Sequence, residues 1–162
     1  MSKGTGTDAR FTVVPVGWVR TGRDDPGDTD HWGAVESEIE IAARFGERCL
    51  QGLDGFSHVE VVFLFDRAVE KDDYATPVRP RGRADLPEVG VFCDRGPRRP
   101  NRLGVTTCRV VSATGRTLRV RGLDAVVGTP VLDVKPAMRE FTVADPRQPP
   151  WVDRLMTDYF RD

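Results

Sequence analysis

The chain has no run of about 18 apolar residues, and its start, MSKGTGTDAR, lacks the apolar core of a signal peptide. Neither a membrane span nor secretion is indicated, and the cytoplasm is the expected compartment. Its three cysteines, Cys49, Cys93 and Cys108, form no CxxC pair and are odd in number, which argues against a disulfide framework or a zinc site. Buried, reduced thiols are the expectation. Histidine is equally scarce: His31 and His58 are too far apart in sequence to form a local metal motif, so no metal is expected. A regular strand and helix alternation is missing too, and with it the doubly wound nucleotide-binding architecture. GTGTDA near the start matches G-x-G-x-x-G/A in form alone, because no strand precedes it and no βαβ unit follows.

Lysine is absent where basic charge is densest. Between Arg79 and Arg121 eleven arginines face Asp85, Glu88 and Asp94, so this segment carries +8 and the remainder of the −1 chain carries −9. Arginine favours planar, bidentate contact with phosphate or carboxylate; replacement of Lys by Arg in a high-GC coding background is an equal account. The charge is concentrated in CDRGPRRPNRLG, residues 93–104, where Pro97 and Pro100 stiffen a loop that solubility alone would leave flexible.

At 162 residues the chain suits one compact domain. Residues 1–10 read as a mobile tail, 11–140 as a barrel domain and 141–162 as a C-terminal extension. FTVVPVGWVR (11–20) is β-rich, with Pro15 and Gly17 suggesting an edge or bulge. VESEIEI (35–41) alternates as a half-exposed strand does. AARFGERCLQGLDGF places Phe45, Cys49, Leu50 and Leu53 at helical spacing. HVEVVFLFD (58–66) reads as a central strand, and residues 67–88 as a long loop of functional or disordered character. VGVFCD is predicted as a short strand, GVTTCRVVSA and RTLRVRGL as a hairpin about Gly115, and LDAVVGTPVLDVKP as a turn and strand. PPWVDRLMTDYF opens a helix at Pro150 with Trp151, Leu155, Met156, Tyr159 and Phe160 on one face, packed on the core or on a second subunit. The fold class expected is mainly β: one small barrel of six to seven strands with short helices and a C-terminal amphipathic helix, not a Rossmann fold.

Three segments join unusual chemistry to turn residues: FSHVEVVFLFDR, GVFCDRGPRRPNRLGV and LDAVVGTPVLDVKP. Together they resemble the TsaA-like family, also called YaeB or TrmO, of S-adenosylmethionine-dependent tRNA methyltransferases, over roughly residues 11–140. The resemblance implies a β-barrel that binds S-adenosylmethionine outside the Rossmann framework, often as a homodimer, and methylates the carbamoyl nitrogen of threonylcarbamoyladenosine beside the tRNA anticodon.

Carried over by position, the cofactor contacts are Thr29, Asp30 and His31; Asp66 and Arg67; Arg95 and Val105; and Asp124, Ala125, Val126 and Val127. Arg95 would meet the methionine carboxylate and Asp124 the ribose hydroxyls, with turn amides around the adenine; Asp124 also suits an Asx turn. Arg98, Arg99, Asn101 and Arg102 are candidates for phosphate contact, Asn101 equally for capping a turn. Asp133 and Lys135 are candidates for orienting the catalytic site or for an ion pair holding the turn. His58 is a possible base or a hydrogen-bonded residue at a strand entry. Gly96, Ala137 and Glu60 depart from the residues common in relatives, which bears on the acceptor more than on the cofactor. Beside tRNA methylation stand two alternatives: methylation of a small-molecule acceptor, and a non-catalytic barrel that binds RNA or another anion.

Overall fold

A computed structural model describes residues 10–71 and 73–162. The expected tail and its GTGTDA motif lie outside the described residues, Arg10 excepted. Six antiparallel strands close into a barrel: β1 (Gly17–Thr21), β2 (Glu36–Ile41), β3 (His58–Leu64), β4 (Leu103–Thr114), β5 (Thr117–Arg121) and β6 (Pro130–Pro136). Around the wall the order is β1-β2-β5-β4-β3-β6, and β6 pairs back onto β1. Among the described residues no helix is long and apolar enough to cross a membrane.

Period-two patterning builds the wall. In β2, Ser37, Ile39 and Ile41 are buried and Glu36, Glu38 and Glu40 turn outward. Leu118 and Val120 of β5 are fully buried, and its arginines face those glutamates: Arg119 Nη2 lies 3.0 Å and Arg121 Nη2 2.6 Å from Glu36. Part of the positive charge noted in the sequence is therefore matched strand against strand. Such exposed pairs contribute little stability each, but like charges in a slipped register would repel. Inside, Val19, Ile39, Val59, Val61, Phe63, Cys108, Leu118, Val120 and Val131 form the core.

Antiparallel closure sorts the connections by end. The β1–β2 loop (22–35), the long β3–β4 connection (65–102) and the β5–β6 connection (122–129) all emerge at one mouth. The opposite end carries the β2–β3 connection, the β4–β5 hairpin turn and the exit from β6. The long connection is folded rather than open: Leu86 and Pro80 are buried beneath it, Val78 bridges Val89, and Arg79 Nη1 donates to the Leu86 carbonyl at 2.5 Å.

Four expectations are corrected. Residues 42–56 hold two short 3-10 turns, Ala43–Phe45 and Leu53–Gly55, and no α-helix, because Gly46 (φ 75°) and Gly52 (φ 87°) break the helical path. VGVFCD forms a 3-10 turn at Val91–Cys93, since a closed barrel offers it no free edge to pair with. The C-terminal helix, α1 (Pro150–Met156), stops before Tyr159 and Phe160. Of the three thiols only Cys108 is buried, its pKa pushed up to about 12 by burial; Cys49 and Cys93 are exposed on turns.

Gly104, in the RLG end of the arginine-rich motif, packs against the Phe63 ring, and a Cβ there would run into it. Gly104→Ala is expected to cost about 1–3 kcal/mol by overpacking, read as a lower urea midpoint with an unchanged slope.

Candidate functional site

The mouth gathers residues from four distant parts of the chain. Arg95, in the loop before β4, donates from Nη2 to the Val105 carbonyl at 2.7 Å, joining two expected cofactor contacts directly. Arg67 Nη2 donates to the Val127 carbonyl at 2.7 Å, joining two more. The Val127 amide bonds the Arg23 carbonyl at 2.7 Å, and the Arg23 guanidinium donates to the carbonyls of Asp30 and His31 at 2.6 Å each. Arg81 then holds the Asp30 carboxylate with both nitrogens, at 2.9 and 3.1 Å, and donates to the Thr29 carbonyl at 3.0 Å. This bidentate grip keeps the Asp30 carboxyl below its usual range.

At the centre stands Asp124, half-buried in the β5–β6 connection. The Tyr159 hydroxyl donates to its Oδ2. Burial raises the Asp124 carboxyl above its ordinary value, against the opposing pull of the Tyr159 bond and the charges of Arg95 and Arg81. Arg95, Arg81, Tyr159 and Asp124 thus share one electrostatic neighbourhood. Tyr159 is itself raised, first by burial and then by the adjacent carboxylate. Beside Asp124, Ala125 and Val126 are buried, and their amides have no partner among the described residues. A half-buried carboxylate acceptor, an arginine and two amides without a partner among the described residues form a donor and acceptor set suited to hydroxyls, a carboxylate and a heteroaromatic edge.

The phosphate candidates divide. Arg99 Nη1 donates to the Asp94 carbonyl at 2.8 Å, and Arg102 donates to the Ala68 carbonyl at 3.1 Å and pairs with Glu70 at 3.3 Å. Both brace the loop itself, which holds Asn101 (φ 60°) and Arg102 (φ 50°) in the left-handed region. Arg98 is exposed, with no side-chain partner among the described residues. Asp66 is exposed at the mouth, just after β3.

Asp133 and Lys135 are not brought to this mouth. They lie further along β6 and pair with each other, and Asp133 lines a separate cleft with Ile41, Phe45, Leu50 and Phe56 at the other end of the barrel. The physical reason is the β6 direction: the strand leaves the mouth at Pro130, so each residue after it moves away. His58, at that far end of β3, bonds Ser57 Oγ at 2.8 Å. The sequence reading did not single out Arg23, Arg81 or Tyr159 for the site. A tyrosine on a partly buried face does carry one signal, since its hydroxyl needs a partner.

A closed antiparallel barrel with a polar, arginine-braced cluster at one mouth is the class of protein that this geometry defines. The chain matches the profile of the tRNA-methyltransferase O N-terminal domain over residues 19–143, and it belongs to that family. A "Probable S-adenosyl-L-methionine-binding protein" of Methanothermobacter thermautotrophicus is 36% identical over 133 residues, covering 80% of this chain and 92% of that protein. The human tRNA (adenine(37)-N6)-methyltransferase is 37% identical over 95 residues, covering 59% of this chain and 21% of its own length. The crystal structure of TrmO from Pseudomonas aeruginosa superposes with a TM-score of 0.70 at 28% identity, over 86% of this chain and 61% of that one. The chain therefore spans less than two thirds of the TrmO crystal chain and about a fifth of the human enzyme.

Asp124 pKa elevation has a defined sign. A carboxyl raised in the folded state favours folding fully below its unfolded pKa and loses that contribution as pH rises through the folded value. Asp124→Asn, which keeps an acceptor for Tyr159, is expected to raise the thermal midpoint at pH 7, with the gain shrinking towards pH 4. A lower midpoint at pH 7 would contradict the desolvated carboxylate.

Proposed function

We propose that the chain is an S-adenosylmethionine-dependent N-methyltransferase that acts on tRNA, methylating N6-threonylcarbamoyladenosine near the anticodon. One observation carries this reading. The four separated segments assigned to the cofactor by family resemblance, 29–31, 66–67, 95 with 105, and 124–127, lie at one mouth and are linked by hydrogen bonds, ion pairs and shared charge. The names of the relatives support the cofactor and the tRNA acceptor.

In this reading Arg95 keeps N–H donors beyond its bond to Val105 for the methionine carboxylate, Asp124 Oδ1 accepts from the ribose hydroxyls, and the Ala125 and Val126 amides face the adenine. Bound S-adenosylmethionine supplies an electrophilic sulfonium methyl. The chain contributes placement of the acceptor nitrogen in line with it and exclusion of water by the buried floor of Leu123, Ala125 and Val126. Because Arg99 and Arg102 brace their own loop, Arg98 is the arginine of the motif that meets phosphate. A homodimer fits the outer wall, where Leu103 and Val105, 42% and 43% exposed, sit across from half-buried Leu64 and Val62.

Incubation with labelled S-adenosylmethionine and total tRNA, followed by nucleoside analysis, is expected to place label in methylated threonylcarbamoyladenosine. Cofactor binding without label in tRNA would replace tRNA with a small acceptor. Arg95→Ala is expected to weaken cofactor affinity about 10- to 100-fold, the range of a charge-assisted contact; unchanged affinity would contradict the placement of the cofactor.

A further inference from the structure

The chain leaves β6 at the end of the barrel far from the site, yet it returns to the mouth. After Pro136 it passes a 3-10 turn at Arg139–Phe141 and α1, and then seats residues 158–160 against the β1–β2 loop. The His31 amide donates to the Asp158 carbonyl and the Trp32 amide to the Tyr159 carbonyl, both at 2.8 Å. Gly33 permits this approach, because a Cβ there would collide with the Phe160 carbonyl. A second anchorage lies further back, where Arg154 Nη2 donates to the Asp85 carbonyl at 3.4 Å and Arg83 Nη1 to the Arg154 carbonyl at 3.3 Å. The residues of this strap, 150–162, fall outside the family match.

The strap delivers one polar side chain to the site. Backbone bonds already hold residues 158–160, so the Tyr159 hydroxyl is not needed to attach them. It donates instead to Asp124 Oδ2, while the Tyr159 ring lies 5.4 Å beneath the Arg81 guanidinium that grips Asp30. A carboxylate fixed through one oxygen has its rotamer set, and its other oxygen keeps one direction.

We propose that Tyr159 is a positioning residue of the cofactor site: it holds Asp124 through Oδ2 so that Oδ1 faces the ribose hydroxyls. This rests on the reading that Asp124 binds the cofactor. The groups that act on the Asp124 carboxyl are the Tyr159 hydroxyl from the strap, Arg95 from the loop before β4, and Arg81 from the β3–β4 connection; the Cys108 thiol of β4 senses its charge in turn. The Tyr159 bond is one of the influences holding that carboxyl down. Its removal lets Asp124 take up a proton at higher pH, and a protonated Asp124 accepts more weakly from a hydroxyl.

Isothermal titration of the full chain with S-adenosylmethionine across pH tests this on three variants. Tyr159→Phe keeps the ring and the backbone bonds; it is expected to bind about tenfold more weakly, with the acid limb of its affinity profile moved to higher pH. Arg154→Ala loosens the strap without touching Asp124 and is expected to leave that limb in place. Unchanged or tighter binding by Tyr159→Phe would overturn the proposal, as would weaker binding by both variants with an unmoved limb, which marks packing alone. Asp124→Asn separates the levels. Full affinity there removes the underlying reading of the site, whereas lost affinity there beside an unaffected Tyr159→Phe removes only the positioning role.

Discussion

A carboxylate that burial makes costly, Asp124, sits at the mouth of the barrel, and the surrounding structure is arranged to keep it there. Its own burial pushes it towards the neutral form, while a phenol hydroxyl and two guanidinium groups pull it back. Removing such a group from water is unfavourable unless partners compensate. Here the partners come from two parts of the chain far apart in sequence: the strap, which supplies Tyr159, and the β3–β4 connection, which supplies Arg81 and Arg95. The mouth therefore holds an oriented acceptor at a cost in stability.

Arginine is the common tool of this end of the molecule, but chiefly as a brace. Arg23, Arg67, Arg81, Arg95, Arg99 and Arg102 each donate to a backbone carbonyl. Loops carry carbonyls that no strand ladder satisfies, and the planar five-donor guanidinium can serve several of them at once. The mouth loops are held by side chains where the wall is held by its ladder. The prolines of CDRGPRRPNRLG and the left-handed backbone at Asn101 and Arg102 belong to the same scheme, with strain held in place by clamps on both sides.

Much of the barrel was legible in the sequence because β2 and β5 alternate strictly. Glu36, Glu38 and Glu40 against Ser37, Ile39 and Ile41, and Arg119 and Arg121 against Leu118 and Val120, declare both their period and their wet face. Residues 42–56 misled because helical spacing of four apolar side chains says nothing about Gly46 and Gly52, whose positive φ decides the backbone. Val91–Cys93 misled because strand propensity needs an edge to pair with, and edges depend on closure of the whole sheet. The segments that the family resemblance assigned to the cofactor lie together at the mouth, a geometry that their sequence spacing does not declare. Asp133 and Lys135 stand close in sequence to Asp124–Val127, yet strand direction carries them away. Tyr159 is distant in sequence, yet the returning strap brings it in.

We propose that S-adenosylmethionine binds at the mouth formed by residues 22–35, 65–102 and 122–129. Hydrogen exchange of the backbone amides, with and without saturating S-adenosylmethionine, tests it most directly. Binding at the mouth is expected to slow exchange at 29–32, at 95–105 and above all at Ala125 and Val126, with the 42–56 turns and the end of β6 unaffected. Protection concentrated around residues 45–56 and 133–136, with Ala125 and Val126 unchanged, would contradict it.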